Sequence, residues 1–246
     1  MGWLIKNYEV DTCKVVYIDI EIIDVAFEKF IDKYIVDICF MDNSFNISKA
    51  KKYIRDYIDT EDPNRKKGAV AEFFLHLYLN SIGMKQECLF KNLEEKSPKK
   101  GFDGVYKDLN ENVWFIESKS GSADLCSHEA KVQEAYRDLK NKFSNTTQND
   151  PWINAYNHLK IINPLDSLLD KFRTLSDEYD AGNAIDIKEY NIGPCGTIYA
   201  DSKEIYDAEL LSNCVINYFA KKEFNKLFSI CVTHRAINEF ERYLGK

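Results

Sequence analysis

The spacing of apolar residues along the chain predicts an alternation of helices and strands. From Ile23 to Ile38 apolar positions recur every three or four residues, which is typical of an amphipathic helix. Further helices are predicted at 48–58, 66–82, 127–143, 152–161, 165–180, 204–222 and 234–244. Strands are predicted at 14–20, 86–91, 102–107, 113–119, 196–201 and 227–232, with residues 182–196 irregular or extended. This order favours one α/β domain with helical additions.

The composition is that of a globular protein and excludes several classes. Of the 246 residues, 45% are apolar and 13% aromatic. No uncharged apolar run approaches the roughly 20 residues of a membrane span, and the first residues, MGWLIKNYEVD, lack the pattern of a signal peptide. The seven cysteines include no CxxC pair. We therefore expect reduced thiols in a cytoplasmic protein, and neither a zinc site nor a disulfide framework.

Charge is unevenly distributed along the chain. The net charge of −7 argues against a protein that coats nucleic acid by bulk electrostatics. Residues 47–101, however, hold twelve Lys or Arg against eight Asp or Glu, a local excess of +4. An ordinary solvated surface and a basic contact surface both remain open as interpretations of this segment.

The stretch GFDGVYKDLNENVWFIESKSG, residues 101–121, reads as a β-hairpin with charged residues on one side. A five-residue loop after Lys107 brings Lys107 opposite Val113. Counting outward along both strands then places Asp103 opposite Glu117. Directly opposed residues point to the same face of a sheet, with Cβ atoms about 4.5–5.5 Å apart.

The charges on this face predict a metal site. Lys119 lies two residues beyond Glu117 and so shares its face. Two carboxylates as close as Asp103 and Glu117 repel each other unless a cation lies between them. Oxygen ligands of this kind suit Mg²⁺ or Mn²⁺. The Lys119 ammonium beside them could hold a water or a phosphate oxygen and neutralise charge during phosphoryl transfer.

A second set of residues shows a similar pattern. The motif [DE]-x-K occurs six times, but only Glu117 and Asp201 end an apolar strand-like run. Asp201 and Lys203 have Asp186 upstream at a similar spacing. The segment 193–196, Gly-Pro-Cys-Gly, interrupts that interval and disfavours a tight hairpin there. The set around Glu117 is therefore preferred.

The order of elements and the motifs together resemble the PD-(D/E)xK nuclease superfamily. From the predicted helix 66–82 onward the order is helix, three strands, helix and a later strand, with GFDG on one strand and IESK at 116–119 on the next. The resemblance implies a restriction-endonuclease-like fold, a mixed sheet flanked by helices. It also implies that Asp103 and Glu117 bind a divalent metal and that Lys119 assists catalysis.

The same resemblance implies further site residues. Members often carry an acidic residue on the preceding helix, where Glu72 stands in GAVAEFFLHLYL, although an exposed boundary Glu is the alternative. The predicted metal-binding set also includes Ser118. Some exonuclease-type members have a QxxxY pattern on the following helix. Gln133 and Tyr136 are one residue short of it, so Tyr136 is assigned to the core and Gln133 remains a weak candidate. Phe102 replaces the proline that often precedes the metal-binding Asp.

More narrowly, GAVAEF, GFDGVY and FIESKSG, with the terminal strands and helices, resemble the HamA family. This implies a DNA-degrading effector of the Hachiman anti-phage defence system that works with a helicase partner, HamB. Residues 1–62 would be an N-terminal extension, 66–143 the catalytic core, and 144–246 a helical insertion followed by C-terminal strands and helices. The chain has no P-loop and no GxGxxG motif, so we assign any use of ATP to the partner.

Three functions remain open. The favoured one is a DNase that uses Mg²⁺ or Mn²⁺. The same site could cut RNA, because the sequence shows no device that reads or rejects a 2′-hydroxyl. A non-catalytic interaction subunit is the third possibility, and the intact set of Asp103, Glu117 and Lys119 argues against it. His76, one turn after Glu72, could line the site, but a partly exposed structural role is favoured.

Overall fold

The fold is α/β and centres on one mixed sheet, as predicted. The computed structural model describes residues 2–91, 101–163, 165, 167–201 and 204–245. Within these ranges seven strands form one sheet in the order β1-β2-β7-β6-β5-β4-β3. The strands are β1 Trp3–Val10, β2 Cys13–Ile20, β3 Lys85–Gln86, β4 Gly104–Lys107, β5 Val113–Ser122, β6 Asn191–Tyr199 and β7 Leu227–His234.

The pairing is parallel in the centre of the sheet and antiparallel at its sides. Strand β6 runs parallel to both β5 and β7, and β7 runs parallel to β2. The pairs β1–β2, β3–β4 and β4–β5 are antiparallel. In the last pair Lys107 lies opposite Val113, so the predicted hairpin register is confirmed.

Helices cover both faces of the sheet. Among the described residues they are α1 Val25–Phe40, α2 Ile47–Ile58, α3 Pro63–Ser81, α4 His128–Phe143, α5 Pro151–Ile162, α6 Leu168–Asp180, α7 Ala208–Phe219 and α8 Ile237–Tyr243. One apolar cluster joins α1, α2, α3 and α8 to the sheet, and a second joins α4, α5, α6 and α7 to the other face. None of the described helices is both long and apolar enough to cross a membrane.

Alternation along β5 assigns its side chains to the two faces. Trp114 and Ile116 belong to the cluster under α3, whereas Phe115 belongs to the cluster under α4. Because successive side chains of a strand point to opposite faces, Glu117 and Lys119 follow Phe115 onto the α4 face. This places the charged residues of the hairpin under α4.

Strand β6 begins earlier than predicted and contains a proline. The strand was expected at 196–201, but it starts at Asn191 and includes Pro194. Proline cannot donate a backbone hydrogen bond, which usually excludes it from central strands. Here the Ser229 Oγ donates to the Pro194 carbonyl at 2.7 Å, and the bridged pairs between β6 and β7 skip residues 193 and 194. Of the two alternatives for residues 182–196, the extended one is therefore confirmed for residues 191–196, which belong to β6.

The course of β6 also rules out the alternative charged set as a hairpin. Asp186 precedes β6 and Asp201 follows it, so the nine residues of the strand lie between them. A strand rises about 3.3 Å per residue, which separates the two carboxylates widely. Lys203 lies outside the described residues, as do Lys96, Lys99 and Lys100 of the basic segment.

Several other boundaries differ from the prediction. Helix α3 begins at Pro63 instead of residue 66, because the Asp62 carboxylate caps it by accepting from the Asn64 N–H at 2.9 Å and proline suits the first helical position. Strand β3 has only two residues, and β1 was not predicted at all. Strands from all three predicted segments, 1–62, 66–143 and 144–246, join the same sheet.

Candidate active site

The hairpin brings two carboxylates together. Asp103 immediately precedes β4, and Glu117 lies on β5, one residue beyond the pair formed by Gly104 and Ile116. The Ser118 backbone N–H donates to Asp103 Oδ2 at 2.7 Å, which fixes the Asp103 side chain against β5. Glu117 is buried, with 3% of its surface exposed. Asp103 and Glu117 therefore face the same small volume.

Helix α4 supplies two more charged side chains to this volume. Asp138 and Lys142 lie one turn apart on the helix. The Lys142 Nζ forms an ion pair with Glu117 Oε2. The Lys119 Nζ lies 2.9 Å from Glu117 Oε1 and 2.7 Å from Asp138 Oδ2. The result is a chain of alternating charges, in which each ammonium group contacts at least one carboxylate.

A glycine on β6 allows α4 to approach the sheet closely enough for these contacts. Gly196 lies beside Lys119 in the parallel pair of β5 and β6. A Cβ atom at this position would come within 2.9 Å of the His128 carbonyl oxygen at the start of α4. The absence of a side chain at Gly196 thus lets the helix lie close to the strand that carries Glu117 and Lys119.

The charged residues line an open pocket of about 340 Å³. Asp103, Glu117 and Lys119 contribute from the hairpin, and Asp138 and Lys142 from α4. The rim is completed by Gly101 and by two polar residues of the segment after α4, Thr147 and Asn149. A polar, accessible pocket lined by adjacent carboxylates is suited to a cation or to a phosphate group bound through one.

The two carboxylates differ electrostatically. Burial, and next the charge of Glu117, raise the pKa of Asp103 above its ordinary value, against the opposing effect of Lys142 and Lys119. Burial by itself would also raise the pKa of Glu117, but the ammonium groups of Lys142 and Lys119 outweigh it and lower that pKa. Burial opposes the charged form of Lys119, yet Glu117, Asp103 and Asp138 raise its pKa. Glu117 is thus the ionised centre of the cluster.

The donor set fits a hard divalent cation held by few protein ligands. Mg²⁺ retains several waters and is often bound through only one or two carboxylates. Asp103 and Glu117 provide two carboxylates in one pocket. Within the described ranges, no group of three or more His, Cys, Asp or Glu side chains is arranged to hold a metal ion. The residues present therefore fit a two-carboxylate site, in which water and substrate would supply the other ligands.

The structure places the remaining candidates elsewhere. Glu72 is partly buried on α3, which packs on the other face of the sheet, and it does not line the pocket. Both Glu72 and Asp103 act on Tyr57 of α2: burial raises the pKa of Tyr57, and the charges of Glu72 and Asp103 raise it further. Ser118 points toward the α3 face by strand alternation, and its link to the site is the backbone N–H that binds Asp103.

Three other residues belong to the supporting structure. Tyr136 is buried in the core under α4, as predicted. Gln133 donates to Glu129 at 2.8 Å and does not line the pocket. His76 is 1% exposed and contacts the Tyr106 hydroxyl, so the expectation of a partly exposed position was wrong.

Sequence reasoning missed Lys142 and Asp138. Asp138 is one of the six [DE]-x-K positions but was not predicted as a site residue, and Lys142 was not singled out. A weak signal was present: Lys142 immediately precedes Phe143, and Asp138 precedes Leu139, both of which lie on the buried face of α4. Charged residues next to the core-facing side of a helix can reach the sheet beneath it. Which part of the sheet they reach depends on the tertiary fold.

A larger pocket, of about 410 Å³, lies at the other end of the sheet. It is lined in part by Asp108, Trp114 and Phe228. The Asp108 carboxylate accepts from the Trp114 indole N–H at 3.0 Å and from Asn112, and so it stabilises the hairpin loop. The smaller pocket, with its adjacent carboxylates and ammonium groups, is therefore the better candidate for chemistry.

Comparison with known proteins identifies the family of the chain. A search of curated proteins finds no match to the sequence. A family model described as HamA matches residues 4–239, nearly the whole chain, and this range includes every residue of the pocket. The chain belongs to the HamA family.

Proposed function

We propose that this protein is a metal-dependent nuclease that cleaves DNA, with Asp103, Glu117 and Lys119 as its catalytic set. The observation that supports it is the convergence of these side chains in one pocket under α4. The arrangement matches the PD-(D/E)xK pattern in residue type and in its position on paired strands. Family membership supports a role in anti-phage defence.

In this proposal each side chain of the pocket has a separate role. Asp103 and Glu117 would hold Mg²⁺ or Mn²⁺, which when bound stabilises charge on a phosphate and lowers the pKa of a coordinated water. Lys119 would neutralise charge that develops on the phosphate in the transition state. Asp138 would keep the Lys119 ammonium in place, since the two groups lie 2.7 Å apart. Glu72 and Ser118 remain proposed contributors to the metal site.

A cleavage assay tests this function. The purified chain is incubated with plasmid, linear duplex, single-stranded DNA and RNA, with Mg²⁺, with Mn²⁺ and with EDTA. We expect cleavage of DNA that requires metal and is lost in Asp103→Asn, Glu117→Gln and Lys119→Ala. If only RNA is cleaved, the proposed substrate is RNA instead of DNA, and the proposed catalytic residues are unchanged.

Asp201→Asn is the matched control, because Asp201 belongs to the alternative motif beyond β6. It should cut as well as the unmodified chain. Loss of activity in Asp201→Asn together with full activity in Asp103→Asn would show that the wrong motif was chosen. A folded chain that cuts none of the substrates, alone or with its genomic neighbour, would favour the non-catalytic hypothesis.

We further propose that a helicase partner delivers DNA to this site. Neutralisation of phosphates supplies most non-specific affinity for DNA and needs several Lys or Arg, yet the net charge here is −7. Residues 1–46 hold nine Asp or Glu against four Lys, and their strand β1 exposes Leu4 and Val10 at the side of the sheet. This segment is available as a docking surface. Tight, salt-sensitive DNA binding by the isolated chain, unchanged by the neighbouring gene product, would contradict the proposal.

A further inference from the structure

We propose that Lys142 is the internal counter-ion of the Asp103–Glu117 pair and competes with the divalent cation for these carboxylates. The inference rests on the proposed function, because it concerns the same metal site. It adds a positioning residue that the hairpin motif does not include. It also predicts that the affinity of the site for metal is set partly from α4.

The contacts of Lys142 place its ammonium at the carboxylate pair. Its Nζ pairs with Glu117 Oε2, and only 12% of its side chain is exposed. Asp103 lines the same pocket as Lys142 and Glu117. The ammonium group of Lys142 therefore holds positive charge in the pocket where a divalent cation would bind.

Lys142 is better placed than Lys119 to leave the pocket. Lys119 lies on β5 and contacts two carboxylates, those of Glu117 and Asp138. Lys142 lies at the end of α4, one residue before the helix ends at Phe143, on a flexible stem beside the Phe102 ring, whose centre is 5.5 Å from its Nζ. Its withdrawal would leave Glu117 still paired with Lys119 through Oε1. Withdrawal therefore needs a change of side-chain rotamer and no movement of the sheet.

Lys142 and a metal ion compete because both bind the same carboxylate oxygens. An acceptor oxygen on Glu117 that is engaged by an ammonium group is not free to bind a metal in the same direction. Two like charges at one pair of carboxylates also repel each other. Metal binding must then include the free energy of displacing Lys142. Removal of the Lys142 charge should therefore strengthen metal binding, although it removes a residue from the active-site pocket.

The experiment measures Mn²⁺ affinity directly, without substrate. Free Mn²⁺ is followed by electron paramagnetic resonance, and the heat of binding by calorimetry, for the full chain and its variants. Lys142→Met should bind Mn²⁺ about tenfold more tightly than the unmodified chain, within the range typical of coupling between two occupants. Lys142→Arg keeps the charge and should bind about as weakly as the unmodified chain.

Lys140→Met is the matched control. Lys140 lies on the same helix two residues away and is exposed, so its removal changes the net charge equally without touching Glu117. Its effect on affinity should stay below about twofold, because exposed charges are screened by solvent and salt. Thermal melts of each variant verify that the fold is retained. Glu117→Gln identifies the site, since it should lose the binding.

The outcomes separate this inference from the proposed function. Competition between Lys142 and the metal is supported if Lys142→Met binds Mn²⁺ more tightly, Lys140→Met binds it as the unmodified chain does, and Glu117→Gln no longer binds it. Equal or weaker binding in Lys142→Met, while Glu117→Gln still abolishes binding, overturns the inference and leaves the metal site intact. Binding that survives in Glu117→Gln, or no binding by any form, overturns both.

Discussion

Isosteric neutralisation of the two carboxylates should change stability in opposite directions. Glu117→Gln and Asp103→Asn each remove one negative charge from the same pocket and keep the size of the side chain. Repulsion between two carboxylates would by itself predict that both variants gain stability in the absence of metal. The contacts of the structure predict otherwise, because the ammonium groups of Lys142 and Lys119 both pair with Glu117.

Glu117→Gln should be clearly destabilising. It removes the carboxylate that forms the ion pair with Lys142, whose side chain is mostly buried. Breaking a buried ion pair by removing one partner costs about 3–5 kcal/mol, and we expect the low end, about 3 kcal/mol, because Lys119 retains Asp138. The loss would be a large part of the free energy of unfolding of a typical domain.

Asp103→Asn should be neutral or stabilising. Burial and the charge of Glu117 both disfavour ionised Asp103. The amide oxygen of an Asn can still accept the hydrogen bond that the Ser118 N–H donates, so no buried donor loses its partner. We expect a gain between zero and about 1 kcal/mol, the range set by one hydrogen bond of ordinary strength.

Urea unfolding at pH 7.5 in EDTA measures both changes. The midpoint and slope give the free energy of unfolding for each variant. Glu134→Gln serves as a control, because Glu134 pairs with Lys131 at a partly exposed position of α4, where an ion pair contributes about 0–1 kcal/mol. With free Mg²⁺ at 100 times its dissociation constant, the unmodified chain should gain about 2.7 kcal/mol and Glu117→Gln nothing. If Glu117→Gln proves as stable as the unmodified chain in EDTA, the two lysines do not neutralise Glu117 in solution.

Two further predictions concern catalysis and acid stability. Asp138→Asn should lower the rate of cleavage about tenfold or more while leaving Mn²⁺ affinity within about twofold, because it displaces Lys119 and not the carboxylates; a parallel loss of metal affinity would contradict this. Burial lowers the pKa of His234 to about 3 and that of His128 to about 4. Their contribution to stability is therefore complete above about pH 6.5, the pKa of an unfolded histidine, and declines as the pH falls from there toward the lowered pKa values. Between pH 7.5 and pH 5.0 each histidine should lower the free energy of unfolding by about 2 kcal/mol. In His234→Leu, urea unfolding should therefore show a decrease in the free energy of unfolding that is smaller by about 2 kcal/mol than in the unmodified chain. An unchanged decrease would mean that His234 is not buried in its neutral form.

Local patterns were sufficient to predict the hairpin and its register. Strand alternation and a five-residue loop are properties of neighbouring residues, and they placed Lys107 opposite Val113 without any knowledge of the rest of the chain. The buried face of α4 was likewise predicted, because helical spacing alone defines it. These features depend on covalent geometry and on the burial of one apolar face, both of which can be read over a short window.

Only the tertiary structure decided what surrounds the hairpin. Strand β6 takes its place between β5 and β7 although it contains Pro194: its bridged pairs with β7 skip residues 193 and 194, and Ser229, 35 residues away in sequence, donates to the proline carbonyl. Lys142 meets Glu117 across 25 residues because β6 aligns beside β5 and Gly196 lets α4 lie close. Such contacts depend on how distant elements pack, and no local pattern encodes that choice. The sequence by itself thus determined that Asp103 and Glu117 lie together, whereas packing determined that Lys142 and Asp138 of α4 contact Glu117 and Lys119.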